Sequence, residues 1–88
     1  MRFEFDPAKS ARNKEKHGID FVEAQALWLD ENRLELPVRS DMESRSIVVG
    51  RTQQTTWAAL VTCREETIRL ISVRRARRRE RDSYQERE

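Results

Sequence analysis

The chain has 88 residues, of which 36% are apolar and 39% charged, and a formal net charge of +2. That size suits one domain, residues 1–88, whose small core would gain stability from a partner. No stretch approaches the roughly 18 uncharged apolar residues of a membrane span, MRFEFDPAKS has no apolar leader core, and the single cysteine, Cys63, excludes an internal disulfide. A reducing, cytoplasmic setting is expected, with no membrane, metal or cofactor.

MRFEF alternates Phe3 and Phe5 with Arg2 and Glu4, the pattern of a short half-buried strand. Asp6-Pro7 then starts a helix, with Asp as N-cap and Pro at its first position. The helix AKSARNKEKH ends at Gly18, a C-terminal cap. Ala8 and Ala11 are its only apolar side chains, so it should lie on the surface with one narrow face down. A second start follows. Asp20 and Glu23 have capping-box spacing, and Ile19 and Ala24 are placed as a hydrophobic staple across it. Phe21, Ala24, Leu27 and Trp28 recur at i, i+3, i+6 and i+7, which predicts an amphipathic helix that supplies much of the core.

Extended runs come next. RLELPV alternates, and its Pro37 suits an edge strand; SIVVGR, TTWAALVTC and TIRLISV contain β-branched stretches. The links TQQT and REE are short enough for hairpins, so a meander is expected. RSDMES reads as a flexible loop, and Cys63 as a small buried strand residue. The predicted fold is α+β: two N-terminal helices packed on one face of an antiparallel sheet of about four strands. An arginine-rich helix over residues 74–88 follows.

The charge is unevenly placed. Residues 74–81 hold six Arg against one Glu, and residues 82–88 hold Asp82, Glu86 and Glu88 against Arg87. A basic block with an acidic end suits a polyanion, an acidic protein, or both in turn. On a helical wheel Ala76, Arg77, Glu80, Arg81 and Tyr84 share one side, and only Ala76 and Tyr84 can anchor it. Arg75, Arg78, Arg79 and Asp82 fall mostly on the other. Guanidinium forks suit phosphodiesters, while Tyr84 offers a ring that stacks on a base and a hydroxyl that moves a proton. The plain alternative is a solvated helix with ion pairs such as Arg78 to Asp82. One glutamate cannot offset six arginines, which favours an anionic partner.

NKEKHG places Lys14, Lys16 and the only histidine, His17, together. An imidazole exchanges protons near neutrality and lysines hold phosphate, although the same residues also complement a helix C-terminus, each by about 0.3–1 kcal/mol. Arg64 and Arg69 lie on or beside the last two strands and face either solvent or a cleft. Ser72 contacts phosphate or caps the final helix. With only Gly18 and Gly50 there is no glycine-rich phosphate loop, and one His with one Cys makes a poor zinc site. Metal-free RNA cleavage remains feasible, with His17, Glu80, Lys16 and Tyr84 as possible proton carriers and arginines as the electrostatic part. A non-catalytic basic module that docks on nucleic acid or an acidic protein is the alternative.

Two spaced patterns carry a family resemblance. The first is Phe5-Asp6, Lys9, Asn13, Lys16-His17-Gly18-Ile19, Phe21 and Ala24; the second is Ile71-Ser72, Arg74, Ala76, Glu80-Arg81 and Tyr84. Between them stands Glu43-x-Arg45 followed by IVVG. Together they resemble BrnT, the toxin of a type II toxin–antitoxin module. Membership implies a RelE-like fold and a ribonuclease that cleaves RNA and halts translation. It also implies a BrnA-like antitoxin in a 2:2 heterotetramer that represses its own operon, with operator DNA touched only through the antitoxin. Phe5 stands where members often carry Trp, and TQQTT lacks a glycine often found there. The resemblance implies Lys16, His17, Arg64, Glu80, Arg81 and Tyr84 as catalytic candidates. Lys14, Ser72, Arg74, Arg75, Arg77 and Arg78 are the implied RNA contacts. Arg64, Arg74 and Arg81 are favoured at the phosphate; Glu80 or His17 is the base, unless Glu80 only orients Arg81. The lysine–histidine corner and the arginine tail should then share one pocket.

Overall fold

The computed structural model describes residues 1–39 and 44–86. Its strands are β1 (Arg2–Glu4), β2 (Leu34–Val38), β3 (Arg45–Thr52), β4 (Thr55–Arg64) and β5 (Thr67–Arg75), in one sheet ordered β1-β5-β4-β3-β2. The helices are α1 (Pro7–His17), a 3₁₀ segment (Glu23–Leu29) and α2 (Arg78–Gln85). The predicted antiparallel meander is present as β2 to β5, and Pro37 lies on the edge strand β2. A fifth strand corrects the prediction: β1 pairs parallel with β5, at Arg2 with Thr67, Phe3 with Ile68 and Glu4 with Arg69. Only a contact between the two ends of the chain could reveal that pairing. Residues 40–43, the middle of the RSDMES loop with Glu43, and 87–88, the end of the acidic tail, lie outside the described residues. Among the described residues no helix is long and apolar enough to cross a membrane.

α1 begins and ends as its sequence predicts. Asp6 accepts from the Ala8 N–H at 2.9 Å, and Gly18 closes the helix at φ 85°, a conformation glycine adopts without a Cβ penalty. The inward side is not the expected alanine face. Ala8 and Ala11 are exposed, and Ser10 and Asn13 are buried. Ser10 Oγ accepts from the Phe21 N–H at 2.9 Å. Asn13 donates to the carbonyls of Ile19 and Val73, each at 2.8 Å, and accepts from the Val73 N–H at 3.1 Å. β1 ends at Glu4, so the β5 backbone near Val73 has no neighbouring strand on that side, and the Asn13 amide pairs with it instead.

The second helix is also corrected in kind. Asp20 and Glu23 form the predicted reciprocal cap, with Glu23 N–H to Asp20 Oδ1 at 2.7 Å and Asp20 N–H to Glu23 Oε1 at 3.0 Å. The segment that follows is 3₁₀. Its physical reason is in the spacing: Phe21, Ala24 and Leu27 are three apart, a repeat that stacks on one ridge at 3.0 residues per turn. All three are essentially inaccessible, whereas Trp28 is only partly buried. Gly50 on β3 permits the close approach, since a Cβ there would meet Leu27 Cδ2 at 3.3 Å.

Alternate strand residues point to opposite faces and build two cores. One face packs Val48, Ala59, Val61, Leu70 and Val73 against Phe21, Ala24 and Leu27, with Phe3 edge-on to Trp28 (5.0 Å) and Phe5 edge-on to Phe21 (5.7 Å). Burying each large apolar side chain here contributes roughly 1.5–3 kcal/mol. The other face packs Val49 and Ala58 against Ala76 and Tyr84. The two early helical segments and α2 therefore serve different faces. Cys63 lies on β4 as expected but is exposed, because it sits at the strand end beyond the core.

The β3–β4 hairpin turns on Gln53 and Gln54, both with positive φ (53° and 67°), between the paired Thr52 and Thr55. Two positive φ values define a type I′ loop, which glycine fits better than glutamine. Gln54→Gly should raise stability by about 1 kcal/mol in urea unfolding. Asn13→Ala should lower it by about 3 kcal/mol, because Val73 and Ile19 lose partners for buried backbone groups.

Candidate nucleic-acid interface

Leu60 pairs with Ser72 and Val61 with Leu70, so Ile71 is an extra residue on β5. This bulge shifts the alternation of β5 by one. Before it, Ile68 and Leu70 point to the face covered by the 3₁₀ segment; after it, Val73 does. Arg69, Ser72 and Arg74 consequently all point to the opposite face, although uninterrupted alternation would separate Arg69 from Arg74. Register adds neighbours from other strands. Arg45, Thr62, Arg69 and Glu4 form one rung across four strands; Ile47, Leu60 and Ser72 form the next; Val49, Ala58 and Arg74 the one after. Arg64, Thr67 and Arg2 make the rung at the far end. α2 covers the Val49–Ala58–Arg74 end of this face, and the Arg45–Arg69 and Arg64 rungs lie beyond it.

Arg74 is held rigidly. Its Nη1 and Nη2 donate to Glu80 Oε1 and Oε2 at 2.7 and 2.9 Å, a two-point fork that spans the strand–helix junction. Glu80 also accepts from the Arg77 N–H at 2.7 Å, so it caps α2 from its third position. Arg77 is the N-cap but carries no acceptor, and this half of a capping box is all it makes. The hydrogen bonds from Arg74 hold the Glu80 carboxyl below its ordinary value, against the opposing pull of burial. The same bond raises Arg74. Glu80 therefore orients Arg74, whereas Arg81 donates separately to the Ala76 carbonyl at 2.6 Å.

Tyr84 anchors α2, as its place on the wheel suggests. It is 3% exposed and donates to Asp30 Oδ2 at 2.5 Å, which also accepts from the Arg51 N–H at 2.9 Å. Burial pushes the Asp30 carboxyl up, but the bonds from Tyr84, Arg51 and Asn32 together outweigh it and the net shift is downward. A cavity of about 530 Å³ opens beside this pair, bounded by the Gln53–Gln54 turn.

The arginine run is not one helix. Arg74 and Arg75 belong to β5, and only Arg78, Arg79 and Arg81 lie in α2. The strand ladder continues to Arg75, paired with Trp57, and so delays the helix predicted from residue 74. Alternation sends Arg75 to the other face, where its guanidinium lies 5.9 Å from the Trp57 ring centre. Arg77 and Arg78 are exposed, and among the described residues Arg78 makes no ion pair with Asp82. Ser72 lies on β5 and does not cap α2.

Lys14 pairs with Glu23 at 2.9 Å in an exposed bridge, whose hydrogen bond raises the lysine and lowers the glutamate. Lys16 is exposed and His17 half-buried at the end of α1. The Asn13–Val73 bonds hold α1 alongside β5, so its last turn stands on the flank where Arg74 and Arg75 end the strand. No hydrogen bond or ion pair among the described residues joins these two groups. Neither the cavity beside Tyr84 nor a second one, between Arg64 and Arg69, is lined by Lys16 or His17. That second cavity, about 320 Å³, brings in Lys9, Arg45, Thr62 and Glu4, which sequence spacing did not single out for the site. Lys9 stands within the N-terminal family pattern; Arg45, Thr62 and Arg69 meet only through strand register.

A family model described as "Ribonuclease toxin, BrnT, of type II toxin-antitoxin system" matches residues 5–80, most of the chain. The chain belongs to the BrnT family. The matched span includes α1, all of β2 to β5 and the Arg74–Glu80 fork, and it ends at Glu80. BrnT proteins are ribonuclease toxins, so RNA is the substrate and an antitoxin the partner that a type II module requires. No curated protein matches the chain.

The acid behaviour of the BrnT fork is testable. Glu80 titrates below its ordinary 4.5, so its contribution to stability is complete above about that pH and is lost as pH falls towards the folded value. Glu80→Gln should flatten the acid loss of stability that begins below pH 4.5, measured by urea unfolding across the acid range. Asp30→Asn should flatten the part below 3.8 instead.

Proposed function

We propose that the arginine face of the sheet, with the adjoining end of α1, binds single-stranded RNA and cleaves it without a metal ion. The observation that supports this most is the placement of Arg64, Ser72 and Arg74 on one face of the sheet, with Arg74 locked in a fork at its α2 end. Guanidiniums fixed before the reaction stabilise charge that builds on phosphate oxygens at little reorganisation cost. The 2′-oxygen attacks the neighbouring phosphorus and forms a 2′,3′-cyclic phosphate, while the bond to the 5′-oxygen breaks. The 2′-proton passes to a base, and an acid protonates the departing oxygen.

Proton carriers divide by their surroundings. Glu80 is committed to Arg74 and Arg77, and the Tyr84 hydroxyl to Asp30. Both fit a role in orienting and anchoring. His17, on the flank of β5, is assigned the base role, with Lys16 beside it as the acid. Arg77 at the cap of α2, with Arg78 and Arg81 on it, supplies further cations beside this face, whereas Arg75 points to the opposite face and Lys14 is paired with Glu23. The chain acts as a single toxin domain with a RelE-like arrangement. A BrnA-like antitoxin binds it, in a 2:2 assembly whose DNA-binding part represses the operon, and free toxin halts translation in the cytoplasm.

A non-catalytic module is the second reading, and the same two commitments favour it: Glu80 and Tyr84 are both occupied in structural bonds. Antitoxin-free protein should yield RNA fragments ending in 2′,3′-cyclic phosphate and leave a linkage intact where the attacking ribose is 2′-deoxy. His17→Ala should lower kcat by about 100-fold or more while the RNA Kd changes little. Arg74→Lys, which loses the fork, should lower kcat by about 10²-fold. RNA that is bound yet uncut at every pH would leave only the binding module.

A further inference from the structure

We propose that the cavity between α1 and the Arg64 end of the sheet is a second anion subsite, which holds a backbone phosphate flanking the linkage being cut. The assignment rests on RNA binding by this face. Among the described residues Lys9, Arg45, Arg64 and Arg69 line it, with Glu4 as the one acidic residue. These cations come from a helix and three strands, and they converge on about 320 Å³ of space. Glu4 lies 3.5 Å from Arg69, with both side chains about half exposed (48% and 49%), so it offsets the positive charge weakly.

Geometry supports a phosphate over a free carboxylate or a protein side chain. Arg45, Thr62 and Arg69 sit side by side on one rung, so two arginine residues flank Thr62. Forked donors of this kind match the oxygens of a phosphodiester. The Arg74 rung stands two rungs away along β4, at Ala58 instead of Thr62, which is about 13 Å at the usual strand rise. Leu60 and Ser72 lie between. A short single-stranded segment lying along β4 and β5 therefore meets Arg74 at one end and Arg69 at the other. Lys9 closes the subsite from α1, which the Asn13–Val73 bonds hold in place.

The test uses the full chain without antitoxin. In wild type, inorganic phosphate should shift the Arg64 and Arg69 side-chain Nε–H signals in NMR more than that of Arg51, at the other end of β3 from Arg45. For a short single-stranded RNA, the double variant Lys9→Gln/Arg69→Gln should bind about tenfold more weakly. Its slope of log K against log salt should become shallower by about 0.7, because one phosphate fewer is neutralised. KM should rise with kcat nearly kept, since neither residue touches the reacting linkage. Arg51→Gln removes one charge at the far end of β3 and serves as control. Equal losses from Arg51→Gln, or no change in Kd and slope for the double variant, would overturn the subsite. Cleavage that survives such a result leaves the ribonuclease reading intact. Phosphate and RNA bound at Arg64 and Arg69 without any cleavage would keep the subsite and remove the catalytic reading.

Discussion

Between Leu70 and Ser72 the last strand carries one residue, Ile71, with no partner on β4, and the direction of every later side chain on β5 depends on it. Uninterrupted alternation would point Arg69 and Arg74 to opposite sides of the sheet. With the extra residue, Arg69, Ser72 and Arg74 share a face while Leu70 and Val73 both remain in the core. A bulge is a local irregularity in a ladder, but here it reconciles two demands on one short strand. It keeps the apolar residues inside and gathers the cations outside.

Three side-chain devices stabilise this arrangement. Asn13 pairs with the backbone of Val73, just beyond the bulge, and thereby joins α1 to a stretch of β5 that no strand accompanies. The Arg74–Glu80 fork joins the end of β5 to the start of α2, and Tyr84 secures the other end of α2 to Asp30. Each connects separate elements with hydrogen bonds instead of apolar area. That fits a chain whose small size limits what its core alone can supply. The consequence for function is rigidity: a guanidinium held by two short bonds presents its remaining donors in a fixed direction.

Much of the local structure was legible in the residues. The Asp6 cap, the Gly18 stop, the Asp20–Glu23 exchange, the edge strand with Pro37 and the anchoring by Ala76 and Tyr84 each follow from chemistry within a few positions. The 3₁₀ segment was legible in part, since Phe21, Ala24 and Leu27 repeat every three residues, a spacing that both α and 3₁₀ geometry accommodate. Of the site, Arg64, Ser72 and Arg74 were singled out and do share a face. Arg75 does not, and Lys9 and Arg45 were not singled out for it.

What the sequence by itself determined were the elements, their caps and the family, because caps, periodicity and motif spacing are properties of neighbouring residues. Tertiary structure alone decided the parallel pairing of β1 with β5, the phase change at Ile71, and the rung that sets Arg45, Thr62 and Arg69 in a row. All three depend on register between strands that no short stretch of chain specifies. A shift of one residue there reverses which face a side chain occupies, and no local preference records it.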